Sequence, residues 1–185
     1  DLHTLADALE AGTARGAFAF DPAQAMAPLP RAHQFVDASA FLNHGNIMER
    51  AFNLTVKRPE GVPILVQRQA DDFRGACDDY PFPSEADNCD YEGEFGVIVD
   101  DIAAGSSAAA CAQAIRLVVL LNDVSLRNLI PGELAKGFGF FQSKPASAFS
   151  PVFVTPEALG DRWDGGRMHG TLCVDLNGAP LGRAD

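Results

Sequence analysis

No stretch of this 185-residue sequence stays apolar long enough to cross a bilayer; the longest strongly apolar run, around Leu117 to Leu121, falls far short of the roughly 20 residues that a spanning helix needs. Basic residues are scarce too. With 14 Lys and Arg against 25 Asp and Glu, the net charge of -11 argues against a nucleic-acid backbone or an anionic membrane as the main partner, since both require clustered cations. Any anionic small molecule must then be met by a local cation or a metal. Cysteine is limited to Cys77, Cys89, Cys111 and Cys173, with no C-x-x-C spacing among them. They read as reduced core thiols and favour a reducing, cytoplasmic setting. Internal repeats, low-complexity tracts and a defensible second domain boundary are also missing. The chain opens at Asp1 without Met and stops at Asp185 just past a hairpin signal, so the lack of a leader proves little, and the C-terminal side is expected to continue.

What remains is an ordinary globular composition, 47% hydrophobic and 21% charged, in a chain long enough to bury roughly 70% of the surface that it exposes when unfolded. Leu2, Leu5, Ala6 and Leu9 recur at helical spacing before Gly12, which predicts a short N-terminal helix. A proline-bearing connection follows, so residues 1–27 form a helix and linker and 28–185 the functional domain. A second helix is expected around Ile47 and Met48. From Asp71 to Asp90 the sequence is rich in acids and turn formers and predicts a long surface excursion, with Asp71, Asp72 and Phe73 as lid candidates. Phe95, Val97 and Val99 alternate with Glu94, Gly96 and Ile98 and mark a strand. The segment SSAAACAQAIRLVVLLNDVS offers a Ser cap and strong helix formers, predicting a helix that ends at or just before Asp123. A carboxylate there would oppose the helix dipole, so Asp123 reads as functional. PVFVTP predicts a strand, and GTLCVDLNGAPLG a hairpin turning at Asn177-Gly178.

Four carboxylates stand out: Asp37, Glu92, Glu94 and Asp123. A strand sends alternate side chains to one face, about 7 Å apart, so Glu92 and Glu94 can face one cation. Alone, the pair equally fits the wet face of an antiparallel strand. Arg127, four residues after Asp123, could simply pair with it on a helical turn, Lys144 could be a solvated loop lysine, and His44 a structural histidine.

Taken together, FVDASAFLNHGNIMER, DYEGEFGVIVDD, NDVSLRN, GFFQSKPASAFSPVFVTPEALGD and HGTLCVDLNGAPLG resemble the fumarylacetoacetate hydrolase family, in the family's order over most of residues 28–182. The resemblance implies an α+β domain, a mostly antiparallel β-sandwich or roll with peripheral helices. It implies Asp37, Glu92, Glu94 and Asp123 as metal ligands, His44 as the base that activates water, and Arg127 and Lys144 as substrate or oxyanion contacts. An all-carboxylate set suits Mg²⁺ or Ca²⁺, with Mn²⁺ also suited, and not zinc. The implied reaction is hydrolysis of a carbon–carbon bond in a 1,3-diketo acid, fumarylacetoacetate or a related acylpyruvate, by a homodimer. Related family chemistry includes decarboxylation, isomerisation and hydration of oxo acids. Ile130 stands where the hydrolase pattern has a glutamine, and the chain ends before the family's Gly-Thr segment and the glutamate that orients the histidine. A metal-binding chain without turnover is therefore a further alternative.

Overall fold

A computed structural model of the protein describes residues 2–52, 61–137 and 139–184. The elements in chain order are α1 (Leu2–Glu10), β1 (Val36–Ser39), α2 (Leu42–Phe52), β2 (Ile64–Gln67), β3 (Cys89–Asp90), β4 (Gly93–Val99), α3 (Ala108–Gln113), β5 (Ile115–Asn122), β6 (Ser125–Leu126), α4 (Ile130–Lys136), β7 (Ala148–Val154), β8 (Leu172–Leu176) and β9 (Ala179–Ala184). Every strand pair named within these sheets is antiparallel, as expected for an α+β fold of this type. The strands form one three-stranded sheet, β4-β5-β7, and three two-stranded ribbons, β1-β2, β3-β6 and β8-β9, with no closed barrel among them.

The helix expected over 107–122 is largely overturned. Ser107 does cap α3, its hydroxyl accepting from the Ala110 amide at 3.2 Å, but the helix ends at Gln113 and β5 begins at Ile115. Leu117, Val118, Val119, Leu120 and Leu121 form a continuous apolar run whose β-branched members suit a central strand, and pairing with β4 and β7 on both sides outweighs local helix propensity. Asp123 consequently follows a strand, and the helix-dipole argument for it does not apply.

Three other expectations need correction. Phe73 is buried, its ring 4.6 Å from that of Phe149 and 5.4 Å from that of Phe35, so it is an anchor and not a lid residue, while Asp71 and Asp72 stay exposed. The cysteines are free but not core: Cys77 and Cys173 are exposed, Cys89 and Cys111 half-buried. The molecule also leaves 13582 Å² accessible, against about 8,600 Å² for a compact monomer of this mass, so folding buries roughly half of the unfolded surface and not 70%.

Two glycines explain local geometry. The β8-β9 hairpin turns through Asn177 and Gly178, both at positive φ (51° and 78°), as a tight two-residue turn requires. It lies so close to β4 that a Cβ on Gly93 would meet the Val174 side chain at 2.6 Å. No helix among the described residues is long and apolar enough to cross a membrane.

Candidate metal centre

The β4-β5 ladder carries two of the acids to one place. Gly93 pairs with Asn122, and beyond that pair the Asp123 amide donates to the Glu92 carbonyl at 2.9 Å, so Glu92 and Asp123 continue the ladder side by side. Glu94 pairs with Leu121, which in turn pairs with Phe149 of β7. Directly opposed residues share a face, so the Glu94 carboxylate lies on the side carrying Leu121 and the Phe149 ring.

Asp37 arrives from β1. Two residues earlier, Phe35 packs on Phe73 and Phe149, and strand alternation puts Asp37 on the same side as Phe35. Asp37 pairs with Val66 of β2, so Arg68, two residues beyond Val66, returns to that side as well. The Arg68 amide donates to the Phe35 carbonyl at 2.9 Å, and its guanidinium carbon sits 6.0 Å from the Phe35 ring centroid.

Three of the four expected ligands converge: one carboxylate oxygen each from Asp37, Glu94 and Asp123 lies within 4.8 Å of the others. The donor chemistry fits a hard divalent cation. Glu92 stands beside this triad and faces cations instead. Its Oε1 accepts from Lys144 Nζ at 2.8 Å, Arg127 Nη1 at 2.7 Å and the Ser125 hydroxyl at 2.9 Å.

The four carboxylates have different electrostatics. Burial raises the pKa of Glu94, and the negative charges of Asp123, Asp37 and Glu92 push it up to about 8. Burial likewise raises Asp37, with Asp123 adding to the effect. Glu92 is also desolvated, but Lys144 and Arg127 outweigh that and hold it below the usual carboxylate range. Asp123, 1% exposed, is enclosed by cations: Arg68 grips both of its oxygens, and Lys144 Nζ reaches Oδ2 at 2.8 Å.

Lys144 is therefore no solvated loop lysine; its side chain is buried between Glu92 and Asp123. Arg127 does not pair with Asp123 along a helical turn. It donates to Asp90 Oδ2 at 2.7 Å and bridges to Glu92. His44 is exposed on α2 and makes no hydrogen bond or ion pair with the carboxylates among the described residues. Arg68, Ser125 and Ser147 were not anticipated from the sequence. The signal for Arg68 was available in the facing alternations Phe35-x-Asp37 and Val66-x-Arg68.

The loop preceding Lys144 is fixed by Glu133 of α4. Its carboxylate accepts from the amides of Phe141, Gln142 and Ser143 at 3.0, 2.7 and 3.0 Å, and from the Ser143 hydroxyl at 2.5 Å. Ser143 is fully buried, and its carbonyl accepts from the Leu126 amide at 2.8 Å, which ties the loop to β6.

No curated protein matches the sequence. A crystal structure from Yersinia pestis CO92, of a protein assigned to the fumarylacetoacetate hydrolase family, superposes with a TM-score of 0.63 at 18% identity, covering 82% of this chain. This chain spans 66% of that protein's length, and at such identity the likeness shows the fold. The family described as fumarylacetoacetate (FAA) hydrolase C-terminal matches residues 34–185, a span that holds every acid and cation of the site. The chain belongs to the fumarylacetoacetate hydrolase family.

Proposed function

We propose that the protein is a metal-dependent enzyme that hydrolyses a carbon–carbon bond in a 1,3-diketo acid, fumarylacetoacetate or a related acylpyruvate. The observation that carries this reading is the convergence of Asp37, Glu94 and Asp123 beside a buried Lys144. Asp37, Glu94 and Asp123 hold the ion, with Glu92 at its flank, and Mg²⁺ or Ca²⁺ suits these oxygens, Mn²⁺ also being compatible. Bound there, the ion supplies Lewis acidity to adjacent substrate oxygens.

The chain's own groups do the rest. Lys144 donates to the oxygen on which negative charge develops, from a desolvated position where such a bond is strong. Arg127, 30% exposed and held by Asp90 and Glu92, is the cation that an anionic substrate meets at the rim. His44 takes the proton from the attacking water. A second copy of the chain is the expected partner. Val97, Leu120 and Val154 support this; they are 43%, 54% and 38% exposed on one face of the β4-β5-β7 sheet.

The exposure of His44 favours a second reading, in which the same centre decarboxylates, isomerises or hydrates a related oxo acid. Assays of acetoacetate, pyruvate and carbon dioxide release from a panel of oxo acids, with chelator and with metal restored, separate the two. Metal-dependent release of acetoacetate from fumarylacetoacetate, or of pyruvate from an acylpyruvate, supports hydrolysis, and carbon dioxide release alone overturns it. Metal binding without turnover would identify a non-catalytic family member. An unchanged hydrolytic rate in His44→Ala would remove His44 from its role as base.

A further inference from the structure

Asp123 has no free lone pair. A carboxylate offers about four acceptor sites, and all are used: Oδ1 by Arg68 Nη2 and the Ser147 hydroxyl at 3.3 Å, Oδ2 by Arg68 Nη1 at 2.9 Å and Lys144 Nζ at 2.8 Å. If Asp123 is to ligate an ion, one donor has to leave. We propose that Arg68 is the fixed positioning residue of Asp123 and that a divalent ion enters by displacing Lys144, which then stays bonded to Glu92 alone. The proposal rests on the metal-centre reading above.

The two cations differ in what they would lose. Lys144 bridges two acids, so releasing Asp123 still leaves its ammonium 2.8 Å from Glu92 Oε1, among the Arg127 and Ser125 donors. Its flexible stem and rotatable ammonium make such a shift small. Arg68 has no such alternative. Both of its Nη donors go to Asp123, its side chain is 1% exposed, and its Nε is buried without a partner among the described residues. Withdrawing the fork would strand a buried guanidinium, the costliest outcome for a desolvated charge. The backbone also holds Arg68 in place, because its amide is bonded to Phe35. The site therefore has one stationary and one movable counter-cation. The stationary one orients Asp123, and the movable one occupies a ligand position until an ion arrives.

Nitrogen-15 NMR of the wild-type protein during titration with Mg²⁺ or Ca²⁺ alone tests this directly. The Lys144 Nζ resonance is expected to shift with metal occupancy, while the Arg68 Nε–H resonance keeps its position and its slow exchange. Calorimetry of variants gives a second readout. Lys144→Met, which removes the competitor, is expected to bind the ion about tenfold more tightly. Arg68→Met is expected to bind more weakly despite losing a positive charge, with Arg68→Lys in between. If Arg68→Met does not fold, the wild-type titration and Arg68→Lys still decide. Metal binding that shifts Arg68 and leaves Lys144 still, or Arg68 variants that tighten binding as Lys144→Met does, would overturn the assignment while leaving the metal centre intact. A wild-type protein that binds neither ion overturns both.

Discussion

The two ends of the β4-β5 ladder are built in opposite ways. At the Glu92–Asp123 end the most deeply buried side chains are Asp123, Val124, Ser125, Ser143 and Ser147, four of the five polar. Toward the other end Val97 and Val99 are each 43% exposed, and on the face opposite Glu94 the side chain of Leu120, paired with Phe95, is 54% exposed. A hydrophobic core normally takes the best-shielded positions. Here they go to a charged cluster, so the geometry of the site is held by hydrogen bonds and ion pairs, while much apolar surface stays open. The difference teaches that the site end is ordered by its own polar contacts, and that the open end is free to accept a second surface.

The largest test of this contrast is Asp123→Ala. It leaves Arg68 without either acceptor and Lys144 with one, all in a dry environment. Breaking a buried ion pair by removing one partner typically costs about 3–5 kcal/mol, and a loss in that range is expected in denaturant unfolding. Divalent-ion binding should disappear with it. A loss below about 1 kcal/mol would mean that the polar end does not hold the fold, contrary to the comparison.

How much of this was legible in the sequence depends on the kind of signal. The hairpin at Asn177-Gly178 follows from local turn chemistry, and the alternation around Phe95 marked β4 correctly. The helix predicted through Leu117–Leu121 failed because propensity is local, whereas β5 is fixed by partners distant in sequence on both flanks. The four acids were singled out by type and order, and the fold brings Asp37, Glu94 and Asp123 together. Their division of labour was not, since Glu92 and Glu94 look alike in sequence, and only the cations at Arg127 and Lys144 distinguish them. Arg68 was missed because it lies 55 residues from Asp123 and carries no motif. The exposed apolar face could not be read from composition, which counts hydrophobic residues without saying which of them are covered.

A second test uses the metal and pH together. Glu94 has a folded pKa of about 8 against an ordinary 4.5, so the metal-free fold prefers it protonated. Its contribution to stability is full below pH 4.5, declines as pH rises toward about 8, and is lost above that. An ion needs the carboxylate, so binding releases a proton below pH 8 and strengthens as pH rises. At a hundredfold excess over the dissociation constant, Mg²⁺ or Ca²⁺ should stabilise the fold by about 2.7 kcal/mol. At one fixed ion concentration, the rise in Tm should be larger at pH 8.5 than at pH 6.5, about one proton's difference in linkage. Equal rises at both values would remove Glu94 from the ligand set.

Glu133 offers a more moderate perturbation of the same end. Burial raises its pKa slightly, but the Ser143 hydroxyl and the three amides win and hold it below the usual range. Its stabilising effect is accordingly present above about pH 4.5 and lost as pH falls through the lower folded value. Glu133→Ala should cost about 1–2 kcal/mol, since the loop keeps partial access to water. Because that loop delivers Lys144, the variant should also broaden the Lys144 Nζ resonance. A sharp, unshifted signal would detach Glu133 from Lys144 placement.

The smallest effect on stability is expected on the open face of the sheet, opposite Glu94, where Leu120→Lys replaces an exposed side chain with one that carries its charge into solvent. Within a single chain the change should stay within about 0.5 kcal/mol, as for most exposed positions. Association is a separate matter. If the Val97, Leu120 and Val154 face is covered by a second copy, a lysine on each protomer places unpaired charge in an apolar contact, where desolvation is costly. Sedimentation of the wild-type protein and of Leu120→Lys should then show loss of the dimer while the unfolding midpoint of the dilute protein barely moves. A dimer unaffected by the substitution would place the contact elsewhere. A large drop in the stability of the monomer would show that Leu120 is packed within its own chain, and the contrast between the two ends of the ladder would fail.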